Sequence, residues 1–184
     1  MALQLRNKKN TKKMVMIYGL DGSGKSTYAE QYCKKHGLKP VCIDIDDTNF
    51  TSIPILELDI SNDVKAWRNI KEAVKEITAS REYDTIILDG VTSLLELLVS
   101  QANGLAKYSD RSTRWGQILR ALQSSGKNII FIGQEDMKVI YNEDTQSPKA
   151  VIKVNSIVNE KYHCTVQNGK YEVETEKYRT IKEE

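Results

Sequence analysis

The sequence has few of the features that mark secreted or membrane proteins. Its three cysteines, Cys33, Cys42 and Cys164, lie far apart and form no C-x-x-C pair, which argues against a disulfide framework and against a zinc site. No apolar run approaches the ~18 residues of a membrane span, and the basic N-terminal segment lacks the apolar core of a secretory signal. We therefore expect a cytoplasmic protein with reduced thiols and no membrane contact.

The sequence also lacks an excess of either positive or negative charge. The 27 Lys and Arg residues nearly balance 25 Asp and Glu residues, and the net charge of +2 is far below that of a strongly basic nucleic-acid-binding domain. Any DNA site must therefore be local. With only three prolines and no repeat, the sequence predicts one domain over 14–176, between a flexible basic tail at 1–13 and a charged tail at 177–184.

Short apolar runs alternate with segments of helical periodicity over most of the chain. The predicted strands are 14–18, 41–45, 53–60, 85–88 and 128–132. The predicted helices are 26–36, 61–77 with Ser61 as its cap, 94–99 and 111–123, the last preceded by a loop at 104–110. Because parallel strands need crossover connections, this alternation predicts an α/β fold with a mostly parallel sheet and helices on both faces.

The last third of the sequence does not continue this alternation of strands and helices. Residues 149–154 alternate between polar and apolar, and the segments 162–167 and 170–175 flank Asn168-Gly169, a dipeptide typical of a tight hairpin turn. We therefore expect a small antiparallel extension at the C-terminal end of the sheet.

The segment GLDGSGKST satisfies the G-x-x-x-x-G-K-[ST] pattern and lies between a predicted strand and a predicted helix. Its glycines allow backbone amides to converge on one anion, and the helix N-terminus adds partial positive charge. The candidate nucleotide-binding residues are Gly19, Leu20, Asp21, Gly22, Ser23, Gly24, Lys25, Ser26 and Thr27. We expect Lys25 to reach the β- and γ-phosphates of ATP, Ser26 to bind Mg²⁺ and Thr27 to contact the α-phosphate.

Asp89 directly follows the buried run 85–88, where a carboxylate can hold the shell of the magnesium ion through water. Three segments together resemble the RecA-like P-loop ATPases, and within them the phage-encoded ATP-binding (AAA-type) proteins of the single-strand annealing and recombination group. They are the phosphate loop, YDTIILDGVTSL at 83–94 and IIFIGQEDMK at 129–138. The resemblance implies a RecA-like sheet, ATP hydrolysis, action on single-stranded DNA in a host cytoplasm, and assembly into a ring or filament.

The same resemblance assigns roles to two strand-end residues. It places the base that orients the attacking water at Asp46, with Asp44 as the alternative, and it matches Gln134 to the sensor of the γ-phosphate. The family commonly has Glu at the base position, and the shorter Asp leaves the rate of hydrolysis, and hydrolysis itself, open. A solvated acidic loop and a backbone-paired amide are the structural alternatives for these residues.

In the family, single-stranded DNA binds the loops after the second motif and after the Gln strand, which correspond here to 101–110 and 138–149. These loops offer cations for the backbone and aromatic faces for bases, at Lys107, Tyr108, Lys138, Tyr141 and Lys149. Arg111 and Arg114 are predicted to begin a helix, where positive charge opposes the dipole. They suit either the ATP of a neighbouring subunit or ordinary surface salt bridges.

Two other functions remain open. The run DGSGKST at 21–27 is similar to that of thymidylate kinases, which makes a small-molecule nucleotide kinase the enzymatic alternative. Such kinases usually follow the strand-end acid with Arg and carry an Arg-rich lid, whereas Asp89 is followed by Gly90. The other alternative is a nucleotide-switched interaction protein that hydrolyses ATP slowly and recruits a partner through its C-terminal hairpin.

Overall fold

A computed structural model describes residues 12–48, 50–100, 107–135, 154 and 157–178 of the chain. These described residues form seven strands and four helices. The strands are β1 Met14–Gly19, β2 Pro40–Asp44, β3 Ile55–Leu56, β4 Thr85–Asp89, β5 Asn128–Gln134, β6 Glu160–Gln167 and β7 Lys170–Tyr178. The helices are α1 Lys25–Lys35, α2 Asp63–Ala79, α3 Val91–Ser100 and α4 Lys107–Ser124.

All seven strands belong to one sheet, in the order β3-β2-β4-β5-β1-β6-β7. Every neighbouring pair is parallel except β6 and β7. The predicted α/β fold of the P-loop NTPase type, with a mostly parallel sheet, is therefore confirmed. Strand β5 separates β1 from β4, and the carboxyl ends of these parallel strands meet at one edge, where open α/β sheets bind ligands.

Strands β1, β2, β4 and β5 are buried on both faces because helices cover the sheet on both sides, as their near-continuous apolar sequences indicate. Met16 and Tyr18 of β1 face the core formed with α2, α3 and α4, whereas Val15 and Ile17 face the core formed with α1. All three cysteines are buried free thiols, as expected. In the part of the chain that the structure describes, no helix has the length and apolar character needed to cross a membrane.

Helix α2 begins at Asp63, so its cap is Asn62 and not the predicted Ser61. The Oδ1 atom of Asn62 accepts the backbone N–H of Lys65 at 3.4 Å, whereas the Ser61 hydroxyl donates to Asp59 at 2.6 Å. The prediction of Ser61 as the cap was wrong because the neighbouring carboxylate engages its hydroxyl. The strand predicted over 53–60 contracts to the two residues of β3.

Helix α4 begins at Lys107 and therefore includes part of the predicted loop 104–110. Asp110 occupies its first turn, where a negative charge is favourable. Arg111 and Arg114 consequently lie beyond the first turn, where the dipole effect has faded, and the prediction that they begin the helix was wrong.

The C-terminal hairpin turns at Asn168 and Gly169, whose φ angles of 52° and 74° are those that a type I′ turn needs. Its first strand, β6, pairs with β1 in parallel, so only β7 is antiparallel to its neighbour. The expected antiparallel extension is present and consists of that one strand. Of the alternating segment predicted at 149–154, only Val154 is among the described residues.

Candidate functional site

The phosphate loop connects β1 to α1 by a path that its glycines make possible. A Cβ atom added to Gly19 would lie 2.1 Å from the carbonyl oxygen of Cys164 and 2.6 Å from Ser23 Oγ, so no side chain fits there. Gly22 and Gly24 have φ angles of 70° and 82°, in the left-handed region that other residues rarely adopt. The loop therefore bends tightly and leaves the N-terminus of α1 facing an open cleft, an arrangement that binds anions.

Lys25 bends back over this loop, and its Nζ donates a hydrogen bond to the Leu20 carbonyl oxygen at 2.8 Å. Burial lowers the pKa of the Lys25 ammonium, and the carboxylates of Asp21 and Asp89 oppose that shift. Asp21 also accepts the N–H of Gly22 at 2.9 Å, which holds the loop's first turn. The result is a cation that its own loop holds near the carboxylates of Asp21 and Asp89.

Asp89 ends β4 with only 3% of its surface exposed. Burial raises the pKa of its carboxyl to about 7, the Asp44 and Asp46 carboxylates add to the rise, and a hydrogen bond from Thr48 opposes it. Its Oδ2 atom has no hydrogen-bond partner among the described residues. A buried carboxylate oxygen without a partner is costly, so Asp89 is suited to a cation that supplies the missing interaction.

Together these residues border a cleft of about 460 Å³. Its lining comes from the phosphate loop, from three strand ends and from β7, and consists of Asp21, Gly22, Gly24, Lys25, Ser26, Thr27, Asp46, Thr48, Asp89, Gln134 and Tyr171. Gly19, Leu20 and Ser23 form the frame of the loop and do not line the cleft. The other predicted residues of the phosphate loop line the cleft together with Asp46, Asp89 and Gln134.

The cleft suits a magnesium ion that arrives with phosphate groups. Within the described ranges, no group of three or more His, Cys, Asp or Glu residues could hold a metal ion by itself. Mg²⁺ is commonly bound by one or two protein oxygens together with substrate phosphates. The Ser26 hydroxyl and the free Oδ2 of Asp89 fit that requirement, so these two residues would hold the ion.

The two candidate bases have different surroundings. Asp44 accepts the backbone N–H of Thr48 through Oδ2 at 2.9 Å, which holds the turn after β2. Asp46 lines the cleft and lies against Gly90, where an added Cβ would be 2.7 Å from Asp46 Oδ1. The geometry therefore favours Asp46 over Asp44 as the acid that faces a bound nucleotide.

Gln134 lines the cleft from the end of β5, and Thr92 fixes its backbone. The Gln134 N–H donates to Thr92 Oγ1 at 3.1 Å, and the Thr92 hydroxyl lies 3.3 Å from the Gln134 carbonyl oxygen, which it reaches as a donor. The next residue, Glu135, donates its N–H to the Gly19 carbonyl oxygen at 2.9 Å and pairs its carboxylate with His163 Nε2 at 2.7 Å. Gln134 is thus held between the phosphate loop, α3 and the hairpin.

Besides Thr48, which follows β2, Tyr171 is a lining residue that the sequence did not indicate. Its ring lies beside the loop, since a Cβ added to Gly24 would be 3.0 Å from Tyr171 Cδ1. The Asn168-Gly169 turn predicts the hairpin, but only the pairing of β6 with β1 brings β7 next to the phosphate loop. A pairing between such distant segments leaves no local signal.

Of the remaining predicted contacts, Arg111 and Arg114 do not line the cleft. Arg114 packs within its own chain, with its guanidinium carbon 5.6 Å from the centre of the Trp67 ring, and Arg111 is half-buried in the same helix. Lys107 and Tyr108 belong to the first turn of α4. Three other candidate DNA contacts lie outside the described residues, namely Lys138, Tyr141 and Lys149.

Comparison with known protein families agrees with this geometry. A family model described as an AAA domain matches residues 11–181. No curated protein matches the chain. An AAA-type domain indicates ATP binding and hydrolysis, as do the phosphate loop and the strand-end acid described above. Because the match includes almost the whole chain, this protein belongs to the AAA-domain family.

Proposed function

We propose that this protein is a magnesium-dependent ATPase. The observation that carries the proposal is the meeting, in one cleft, of the Lys25 ammonium with the unpartnered Oδ2 of Asp89 beside a phosphate loop. A cation and a metal-binding carboxylate at the same cleft are the two elements that stabilise charge on a transferring phosphoryl group.

The roles of the other residues follow from their positions. Loop amides and Lys25 bind the phosphate chain, while Ser26 and Asp89 hold the magnesium ion, which neutralises phosphate charge when bound. Asp46 faces the cleft, where its carboxylate can accept a hydrogen bond from the attacking water and orient it. Gln134 offers its side-chain amide from the end of β5, where it can donate to the terminal phosphate.

The surroundings of Gly90 weigh against a nucleotide kinase. Thymidylate kinases usually have Arg after the strand-end acid, but Gly90 has a φ of 84°, and an added Cβ would lie 2.7 Å from Asp46 Oδ1. An arginine at this position would have to displace Asp46 from the cleft. Water is therefore a better supported acceptor than a second nucleotide.

Single-stranded DNA is the partner that we propose for this turnover, in recombination or annealing and with the protein assembled as a ring or filament. The support is the resemblance of the three motif segments and the position of the candidate segment 138–149, which follows Gln134 in the sequence. A residue that reads the terminal phosphate is well placed to alter the segment that follows it.

Phosphate release from Mg-ATP, with and without single-stranded DNA, tests both proposals. We expect Lys25→Ala to slow release at least about 100-fold, as loss of a charge-stabilising group commonly does. Lys35→Ala is the matched control, since this exposed lysine is in the same helix and outside the cleft. Release that persists in Lys25→Ala would place the activity elsewhere. If single-stranded DNA does not accelerate phosphate release, the DNA proposal is wrong, but the proposed ATPase activity is unaffected.

A further inference from the structure

An exposed aromatic ring lies at the rim of the cleft, and hydrolysis as proposed does not use it. Tyr171 follows the hairpin turn closely in β7, is 69% exposed and lines the cleft. Its Cδ1 and Cε1 atoms would lie 3.0 and 3.4 Å from a Cβ added to Gly24, the residue that precedes α1. The ring therefore stands in contact range of the phosphate loop while most of its surface faces solvent.

The hairpin holds Tyr171 in this place through two strand pairings. Cys164 of β6 is paired with Gly19, and two residues further on Val166 is paired with Tyr171. The turn of the hairpin thus extends past the end of β1, at the level of the phosphate loop. The ring is positioned by strands and not by a loop, so little ordering is needed when a ligand arrives.

The sheet order defines two ends of the cleft. Asp46, Asp89 and Gln134 follow or end β2, β4 and β5, which lie on one side of β1, whereas β6 and β7 lie on the other side. The terminal phosphate of a bound nucleotide must face the acids and the Gln134 amide, because the metal ion and the attacking water are needed there. The nucleoside end then points toward β7 and Tyr171.

We propose that Tyr171 stacks on the base of the bound nucleotide, so that the C-terminal hairpin supplies the nucleoside-binding wall of the site. This inference rests on the proposed function, because the orientation of the nucleotide follows from phosphate binding by the loop. Stacking uses the π-face that every base has and does not read its edge groups. The ring accordingly accepts ATP and GTP alike and favours purines, which have the larger face.

Calorimetric titration with ATP and with inorganic tripolyphosphate, both with magnesium, tests the proposal. We expect Tyr171→Ala to weaken ATP binding about tenfold, within the range found when a stacking aromatic is replaced by alanine, and Tyr171→Phe to bind ATP as the unmodified protein does. Tripolyphosphate has no base, so all variants should bind it equally. Tyr178→Ala is the matched control, because Tyr178 is also exposed on β7 and does not line the cleft.

Each other result has a distinct meaning. If Tyr171→Ala binds ATP as tightly as the unmodified protein, the stacking role is overturned and the proposed ATPase is unaffected. An equal loss of affinity for ATP and tripolyphosphate would show that the ring supports the loop, which also overturns stacking on the base. Failure of the unmodified protein to bind ATP would overturn both the inference and the proposed function. Equal tripolyphosphate binding doubles as the check that each variant keeps a folded loop.

Discussion

Asp89 shows how a single residue of the site lowers the stability of the nucleotide-free fold. Its carboxyl has a pKa of about 7 in the folded protein, against an ordinary value of 3.8, chiefly because it is buried. Between these two pH values the unfolded chain releases the proton and the folded chain keeps it, so stability falls as pH rises through this window. Above pH 7 the folded state bears the full penalty, about 4 kcal/mol by the linkage relation.

Asp89→Asn should therefore stabilise the nucleotide-free protein at pH 8, because asparagine occupies the same space without the buried charge. We expect the free energy of unfolding to rise by about 2–4 kcal/mol at pH 8, and by much less at pH 4.5. Urea unfolding in the presence of a chelator at the two pH values measures the difference. Glu72→Gln, at an exposed position of α2, should change neither value. An Asp89→Asn variant with the pH dependence of the unmodified protein would contradict this account.

At the scale of secondary-structure elements, the first turn of α3 and the end of β5 are joined by one hydroxyl. Thr92 Oγ1 accepts the N–H of Gln134 at 3.1 Å and lies 3.3 Å from the Gln134 carbonyl oxygen. Thr92 thus provides a hydrogen-bond partner for both the backbone N–H and the carbonyl oxygen of Gln134, the last residue of β5. The contact makes the position of Gln134 depend on a helix that begins next to Asp89.

Thr92→Val removes this hydroxyl while preserving the shape of the side chain. Leaving the Gln134 N–H without its partner costs about 1–3 kcal/mol, and the end of β5 is expected to shift to recover a hydrogen bond. We predict a fall of about tenfold or more in kcat for ATP, with the Kd of ATP changed by less than about threefold, because Lys25 and the loop are untouched. Thr92→Ser retains the hydroxyl and serves as the control. Steady-state kinetics measures kcat, and titration measures the Kd of ATP. An unchanged kcat in the Thr92→Val protein would refute the prediction.

For the whole molecule, nucleotide binding should appear as added thermal stability, because the ligand binds only the folded chain. At 100 times the Kd of ATP, linkage predicts about 2.7 kcal/mol of stabilisation, which corresponds to roughly 5–10 °C in the Tm of a protein of this size. Thermal melts with and without Mg-ATP measure it. Lys25→Ala should abolish the shift, whereas Lys35→Ala should preserve it. An equal shift in Lys25→Ala would mean that ATP binds outside the phosphate-loop cleft.

Much of this architecture was predictable because the relevant signals are local. Strand periodicity placed Asp89 directly after a buried strand, and the family resemblance placed Gln134 at the end of another. Parallel strands bring such ends to one edge, so much of the cleft's composition followed from the fold class. The first turn of α4 was missed because its polar side chains carry no helical pattern. Tyr171 was missed because its position depends on β6 pairing with β1, and strand order between distant segments has no local signature.

The parallel pairing of β6 with β1 also has a consequence for biosynthesis. β1 is translated early, yet its two neighbours in the sheet are β5, which begins at Asn128, and β6, which begins at Glu160. At ribosomal rates of roughly 5–20 residues per second, the first strand waits about 7–30 s for its last partner. Until β5 is made, the phosphate loop exists but its strand has neither of its neighbours to pair with. The nascent chain thus carries an apolar, glycine-ended segment that chaperones can bind, and it acquires a complete nucleotide site only when the hairpin emerges.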